Sequence, residues 1–262
     1  MRKNIHLFIK LILISMRSQM QHRASFIMLA FGHFIATLVS ILGIWVLFDR
    51  FHTIQGWTFD QVCLLYGTVH IGFSIAEMLA RGFDTFDQMV KQGEFDRILL
   101  RPLGTLFQIA SSQVQLMRIG RFLQGLLVLI FGLSSMQITP FILIVTLLSI
   151  IGTACVFYGL LIAQATLAFW TTETLELVNI TTYGGVEAGQ YPMSIYPKGF
   201  RLIFTLLIPL ATVTYYPIAA LFEHESLGYV ACCLLPLSGV LFLYLCTRAW
   251  HIGVRRYCST GS

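Results

Sequence analysis

The chain has 262 residues, of which 56% are hydrophobic and only 11% are charged, with a formal net charge of +5. A soluble domain carries about 25% charged residues, so a single core in water is excluded and a polytopic helical membrane protein is predicted. The basic residues are scattered beside hydrophobic runs, which argues against nucleic acid as a partner. The six cysteines show no CxxC spacing and no histidine at metal-ligand spacing, so we expect no metal site and interpret them as small buried side chains.

Residues 1–23 mix apolar side chains with basic ones such as Lys3, Lys10 and Arg17. This run is too short and too charged to cross a bilayer, and it predicts an amphipathic helix lying on the membrane surface. It also lacks the clean apolar core and small-residue cleavage site of a signal peptide.

Six hydrophobic runs follow, each of about the length that a bilayer requires. They are predicted at Ala24–Phe48, Val62–Ala80, Phe122–Met136, Phe141–Phe169, Leu202–Leu221 and Leu227–Leu245. The third run is short and is expected to begin before Arg121, whose long side chain can reach the interface. Without an internal repeat or a second domain, residues 1–262 are predicted to form a single all-α transmembrane domain.

Six spans place both termini on one side of the membrane. The basic residues of the termini and of the connections after the second and fourth spans would lie on that side, including Lys198 and Arg201 in the polar stretch 170–200. Only Arg50 would lie opposite. By the positive-inside rule, both termini are predicted to be cytoplasmic.

The one long charged segment between spans is 81–104. Phe83, Phe86, Met89 and Val90 share one helical face, Gly93 stands where such a helix would end, and Pro102 ends a second short run from Phe95 to Leu100. An apolar face with two phenylalanines is costly to leave in water. It therefore predicts contact with the membrane surface or with a partner protein.

Four polar side chains inside predicted spans are candidates for intramembrane contacts. These are His33, His70, Glu77 and Gln164. Helix-to-helix hydrogen bonding is the first interpretation and substrate contact the second. We expect Glu77, near the inner end of its span, to reach water or Arg81, its i+4 neighbour.

No motif of a hydrolase, a zinc protease or a phosphate-binding loop is present, so the chain is not expected to be an enzyme or to hydrolyse ATP itself. Two other membrane classes stay open as alternatives. An ion-coupled secondary transporter would need a carboxylate at mid-depth. A membrane-embedded transferase would need a catalytic cluster, which the run A-R-G-F-D-T-F-D at 80–87 only faintly resembles.

Two segments resemble the membrane subunits of bacterial ABC type-2 exporters in the six-span branch. One is Gly93–Leu103, which is similar to that branch's pattern G-x-x-D-x-x-L-x-R-P-L. The other runs from Tyr191 to Pro217 and carries Tyr-Pro pairs at 191–192, 196–197 and 216–217.

This resemblance implies an export permease of the bacterial inner membrane, working as a dimer with an identical or different permease. It implies that a pair of ATPase subunits on separate chains holds ATP and Mg²⁺, so that this chain binds no cofactor. It also implies that 81–104 is the coupling helix segment that docks into the ATPase. The expected coupling residues are Phe83, Asp84, Phe86, Asp87, Met89, Val90, Glu94, Asp96, Arg97 and Arg101. Phe86 is the expected central anchor, and the substrate stays open.

Overall fold

A computed structural model of the chain describes Lys10, Ile14 and residues 17–171 and 175–257. These residues form helices and connections with no strand among them, so the predicted all-α class is confirmed. Most of the predicted surface helix lies outside the described residues, and so does Cys258. The helices are α1 (Arg23–Phe51), α2 (Phe59–Asp84), α3 (Phe86–Lys91), α4 (Glu94–Leu99), α5 (Thr105–Ser112), α6 (Ile119–Ser134), α7 (Pro140–Leu167), α8 (Leu175–Gly189), α9 (Lys198–Leu202), α10 (Leu210–Val213), α11 (Tyr215–Leu221), α12 (Tyr229–Leu234) and α13 (Ser238–Arg256).

Five stretches of helix are long and apolar enough to cross a membrane. They contain α1, α2, α6, α7 and the joined pair α12 and α13. We call the end of the bundle that carries Arg81 and Arg121 the basal end, and the end that carries Trp57 and His224 the distal end. The predicted first, second, fourth and sixth spans correspond to these helices, and the third does begin before Arg121.

Local sequence signals explain two of the helix starts. The backbone N–H of Thr58 donates to Oε1 of Gln61 at 3.1 Å, which caps α2. At the start of α7, Oγ1 of Thr139 accepts from the N–H of Ile142 at 3.3 Å, and Pro140 takes the first helical position.

The predicted fifth span, Leu202–Leu221, is broken. Helix α9 continues into a π-helical turn, Ile203–Leu207, and this piece meets the piece formed by α10 and α11 with a bend of 74°. Pro209 stands at the break, where it has no N–H to donate and its ring crowds the preceding turn. The predicted fifth span is therefore a bent pair of helices and not one regular helix.

The stretch 170–200, expected as a polar connection, contains helix α8. The last turn of α8 is inside the bundle, because the space beside Gly189 is filled by Val69 and Leu210. Earlier in α8, Tyr183 packs edge-on against Phe73 with 5.6 Å between ring centroids. Helix α8 therefore enters the bundle and supports the broken segment.

The structure places two basic residues at the opposite end of the bundle from the one predicted. Lys198 and Arg201 line one cleft with Tyr216. The neighbouring Tyr215 contacts Trp57, with 5.7 Å between ring centroids, on the distal side. The prediction that Lys198 and Arg201 lie with the basal basic residues is therefore wrong.

Candidate functional site

The charged segment at the basal end folds as two short helices, as predicted. Helix α2 ends at Asp84, α3 follows after Thr85, and α4 follows after Gly93. Gly93 has φ of +68°, a left-handed conformation that glycine adopts without steric cost. The reversal at Gly93 turns α4 back so that Phe95 reaches α3.

The apolar face of this segment packs against the chain itself. Phe83, Phe86 and Phe95 are fully buried, and they meet Phe169 and Trp250 in a group that we call the basal aromatic cluster. The ring centroid of Phe86 lies 5.0 Å from that of Phe95 and 4.9 Å from that of Trp250, both edge-on. Such pairs add about 0.5–1.5 kcal/mol each beyond the area they bury.

This packing corrects the expectation for the coupling residues. Phe83, Phe86 and Val90 are buried within the chain, so the expectation that they form an exposed apolar anchor for a partner is wrong. Asp87 is also buried, and its Oδ2 lies 3.5 Å from Nζ of Lys91. An amphipathic pattern shows that a face needs cover, but it does not show what covers it.

Much of the surface that the segment exposes lies on α4 and just after it. We call it the α4 face; it consists of Glu94, Arg97, Leu99, Leu100 and Arg101, all of them exposed. Leu100 has 86% of its surface exposed at the end of α4. Sequence reasoning missed Leu100 as a candidate because it follows the helical periodicity of Phe95 and Leu99 only loosely. Asp96 and Met89, also expected in the site, are half-buried.

A buried ion-pair network lies one helical turn above this segment. Oε2 of Glu77 accepts from Nη1 of Arg121 at 2.8 Å, and its Oε1 lies 3.3 Å from Nη2 of Arg118. Tyr183 of α8 donates its hydroxyl to the same carboxylate at 3.2 Å. Glu77 therefore ties α2 to α6 and to α8.

The expected pairing of Glu77 with Arg81 is wrong. Arg81 instead pairs with Asp84, three residues along the same helix. Nε2 of Gln164 on α7 donates to the other oxygen of Asp84 at 3.2 Å. Glu77 and Asp84, the two carboxylates near the basal end of α2, thus contact different partners.

The two candidate histidines also contact other helices. Nδ1 of His33 lies 3.4 Å from Nη1 of Arg118. Nε2 of His70 lies 3.2 Å from Oε1 of Gln190, just after α8, and its ring stacks on Tyr66 at 3.9 Å between centroids. These polar groups join α1, α2, α6 and α8 inside the bundle.

Within the described ranges, no group of three or more His, Cys, Asp or Glu side chains is placed to hold a metal ion. The five described cysteines form no disulfide. The charged and polar side chains inside the bundle therefore hold its helices together. The α4 face is the exposed surface at the basal end of that bundle.

Comparison with known proteins adds one finding. The sequence model of a family described as ABC-2 family transporter protein matches residues 34–261, which is most of the chain. A search of curated proteins found no match, and a search of solved structures found none either.

Proposed function

The chain belongs to the ABC-2 transporter family and is a permease component of an ABC transporter, and we propose that it is the membrane subunit of an ATP-driven exporter. In this proposal it lines a translocation path together with a second permease. Two ATPase chains bind at the basal end and hold ATP and Mg²⁺.

The observation that carries the proposal is the α4 face. Leu99 and Leu100 are adjacent leucines with 42% and 86% of their surface exposed, and the charged residues Glu94, Arg97 and Arg101 lie close to them in the sequence. A central apolar contact with a charged rim is the usual composition of a docking surface. The basal aromatic cluster holds this surface rigid, so that little ordering entropy is lost on binding.

The charge distribution supports a cytoplasmic basal end. Arg81, Lys91, Arg97, Arg101, Arg118, Arg121, Arg248, Arg255 and Arg256 are on the basal half. Arg50 ends α1 on the distal side, and among the described basic residues only Lys198 and Arg201 join it there. By the positive-inside rule, this distribution supports our proposal that the basal end and both termini are cytoplasmic and that the chain spans a bacterial inner membrane.

The alternative of an ion-coupled transporter has less support. It requires a carboxylate that can exchange partners, whereas Glu77 is held by two arginines and a tyrosine. The transferase alternative requires a catalytic cluster, which the contacts of the described residues do not provide.

The test is Leu100→Ser, with the ATPase co-purified on tagged permease from native membranes. We expect the affinity of the ATPase for the permease to fall about tenfold, which corresponds to a loss of about 1.4 kcal/mol of binding free energy. Less ATPase should then be recovered at the same protein concentrations. Permease abundance and melting temperature should stay unchanged because 86% of the surface of Leu100 is exposed. Gln113→Ala, an exposed basal change away from the α4 face, is the matched control.

Phe86→Ala separates the two interpretations of the segment. Removing a buried ring from the basal aromatic cluster should lower stability by about 3–5 kcal/mol and reduce the amount of folded permease. If Phe86→Ala leaves stability intact but releases the ATPase, then Phe86 is the anchor after all and the α4 face is not. If no ATPase co-purifies with the unmutated chain, the exporter proposal fails.

A further inference from the structure

A cleft of about 210 Å³ opens beside the π-helical turn on the distal half of the bundle. We call it the distal cleft; it is lined by Lys198, Arg201, Leu202, Thr205, Leu206 and Tyr216. Its size suits a small head group rather than a whole drug-sized molecule.

Both cations of the distal cleft lack an acidic partner. No described Asp or Glu forms an ion pair with Lys198 or Arg201. Nη2 of Arg201 donates only to the backbone carbonyls of Ser194 and Tyr196, at 3.4 and 3.3 Å. Carbonyl dipoles do not neutralise a full charge, and an unpaired cation beside apolar surface is stabilised by a nearby anion.

The same cleft has an apolar side. Leu202 and Leu206, four residues apart, have 60% and 74% of their surface exposed. In a membrane-spanning chain, side chains of this kind face lipid tails or a bound hydrocarbon. The cleft therefore presents positive charge and apolar surface side by side, which is the complement of an anionic amphiphile.

The backbone around the cleft is irregular, and threonine side chains bond to its carbonyls. Oγ1 of Thr205 donates to the carbonyl of Arg201 at 2.7 Å, and Oγ1 of Thr212 donates to the carbonyl of Thr205 at 2.9 Å. The first of these bonds lies at the π turn, and the second reaches across the break at Pro209. Irregular backbone at membrane depth is tolerated where it is packed in protein or lines a cavity, and π turns often occur at functional sites.

We propose that the distal cleft binds an anionic amphiphile, with its phosphate or carboxylate head group between Lys198 and Arg201 and its hydrocarbon chain along Leu202 and Leu206. This assignment concerns binding and stands whether or not the chain works as an exporter. The anion could be part of a membrane lipid or a free ion, and the test distinguishes the two.

The test is native mass spectrometry of the full chain in neutral detergent, titrated with phosphatidylglycerol and with phosphatidylcholine of the same acyl chains. We expect phosphatidylglycerol to bind at least about tenfold more tightly, as a charge-assisted contact provides. Lys198→Glu should remove this preference, because it replaces a positive charge of the cleft with a negative one. Lys198 is exposed, so its replacement disturbs no packing. Arg50→Gln, which removes a distal cation outside the cleft, is the matched control and should leave the preference intact.

Arg201→Gln should also weaken phosphatidylglycerol binding about tenfold. Because Arg201 holds two carbonyls of the preceding turn, Lys198→Glu carries the conclusion if Arg201→Gln fails to fold. Competition identifies the source of the anion: lysophosphatidylglycerol should displace the lipid at far lower concentration than inorganic phosphate. Equal displacement by phosphate, or equal binding of the two lipids to the unmutated chain, would overturn the proposal.

Discussion

Helices α1 and α2 are neighbours of similar length, yet they occupy opposite environments. In the stretch Arg17–Phe51 only 17% of the most apolar 18 residues are buried, whereas in Phe59–Lys91 the share is 83%. The stretch that contains α1 is also the more apolar of the two. In water the more apolar helix would be inside. Here it lies outside, because lipid tails accept apolar side chains as well as a protein core does.

The glycines of the two helices show the same contrast. A Cβ added at Gly67 or Gly82 of α2 would lie within 3 Å of a neighbouring helix, whereas one added at Gly32 or Gly43 of α1 would meet nothing within 4 Å. Small residues allow close backbone approach, which is a main source of helix association in membranes. What selects α2 for the centre is therefore its small and polar residues.

The largest effect is expected at Glu77. Replacing it with alanine leaves Arg118 and Arg121 close together and unpaired inside the bundle. Removing one partner of a buried ion pair lowers the free energy of unfolding by about 3–5 kcal/mol. Reversible unfolding in mixed micelles should show this loss as a lower free energy of unfolding.

A double change sharpens that prediction. Adding Arg121→Gln to Glu77→Ala should restore part of the lost stability, because it removes one of the two uncompensated charges. Fully additive losses would mean that Glu77 acts by packing and not by charge.

The next effect is expected at Gly82, where an added Cβ would lie 1.9 Å from the carbonyl oxygen of Ile109. Gly82→Ala should destabilise the chain by about 1–3 kcal/mol, because the added methyl group would push away the second half of the neighbouring helix α5. The amount of monodisperse protein after heating, measured by fluorescence-detected size exclusion, gives the loss. An unchanged profile would mean that α2 and α5 separate easily.

The smallest effect is expected at Gly43 of α1. Gly43→Ala has open space around its Cβ, and alanine favours a helix over glycine by up to about 1 kcal/mol. We expect a melting temperature that is unchanged or slightly higher in the same assay. A clear loss would show that α1 is covered by another chain at Gly43, and the contrast with α2 would then hold only for the isolated subunit.

The sequence predicted well the features that depend on local pattern. Runs of apolar residues located the long helices, and Gly93 with Pro102 located the two short helices of the basal segment. It did not predict that Phe86 is covered by Trp250, because 164 positions of chain separate them and periodicity carries no information about partners.

Two further features were missed. The partners of Glu77 lie just before α6, on α6 and on α8, whereas an i+4 neighbour was the only partner that spacing could suggest. The break at Pro209 was hidden because the residues on both sides are apolar, so a hydropathy window passes over it. Proline inside the predicted span was the available signal for such a break.

The basal aromatic cluster has a consequence for how the subunit is made. Phe83, Phe86 and Phe95 pack on Trp250, which lies close to the C-terminus. Because a ribosome synthesises the chain from its N-terminus, these three rings emerge long before the indole that covers them. The basal segment can reach its packed form only once α13 has been inserted. Insertion of α13 is thus the step that completes a rigid basal surface, and products truncated before α13 would present a loose one.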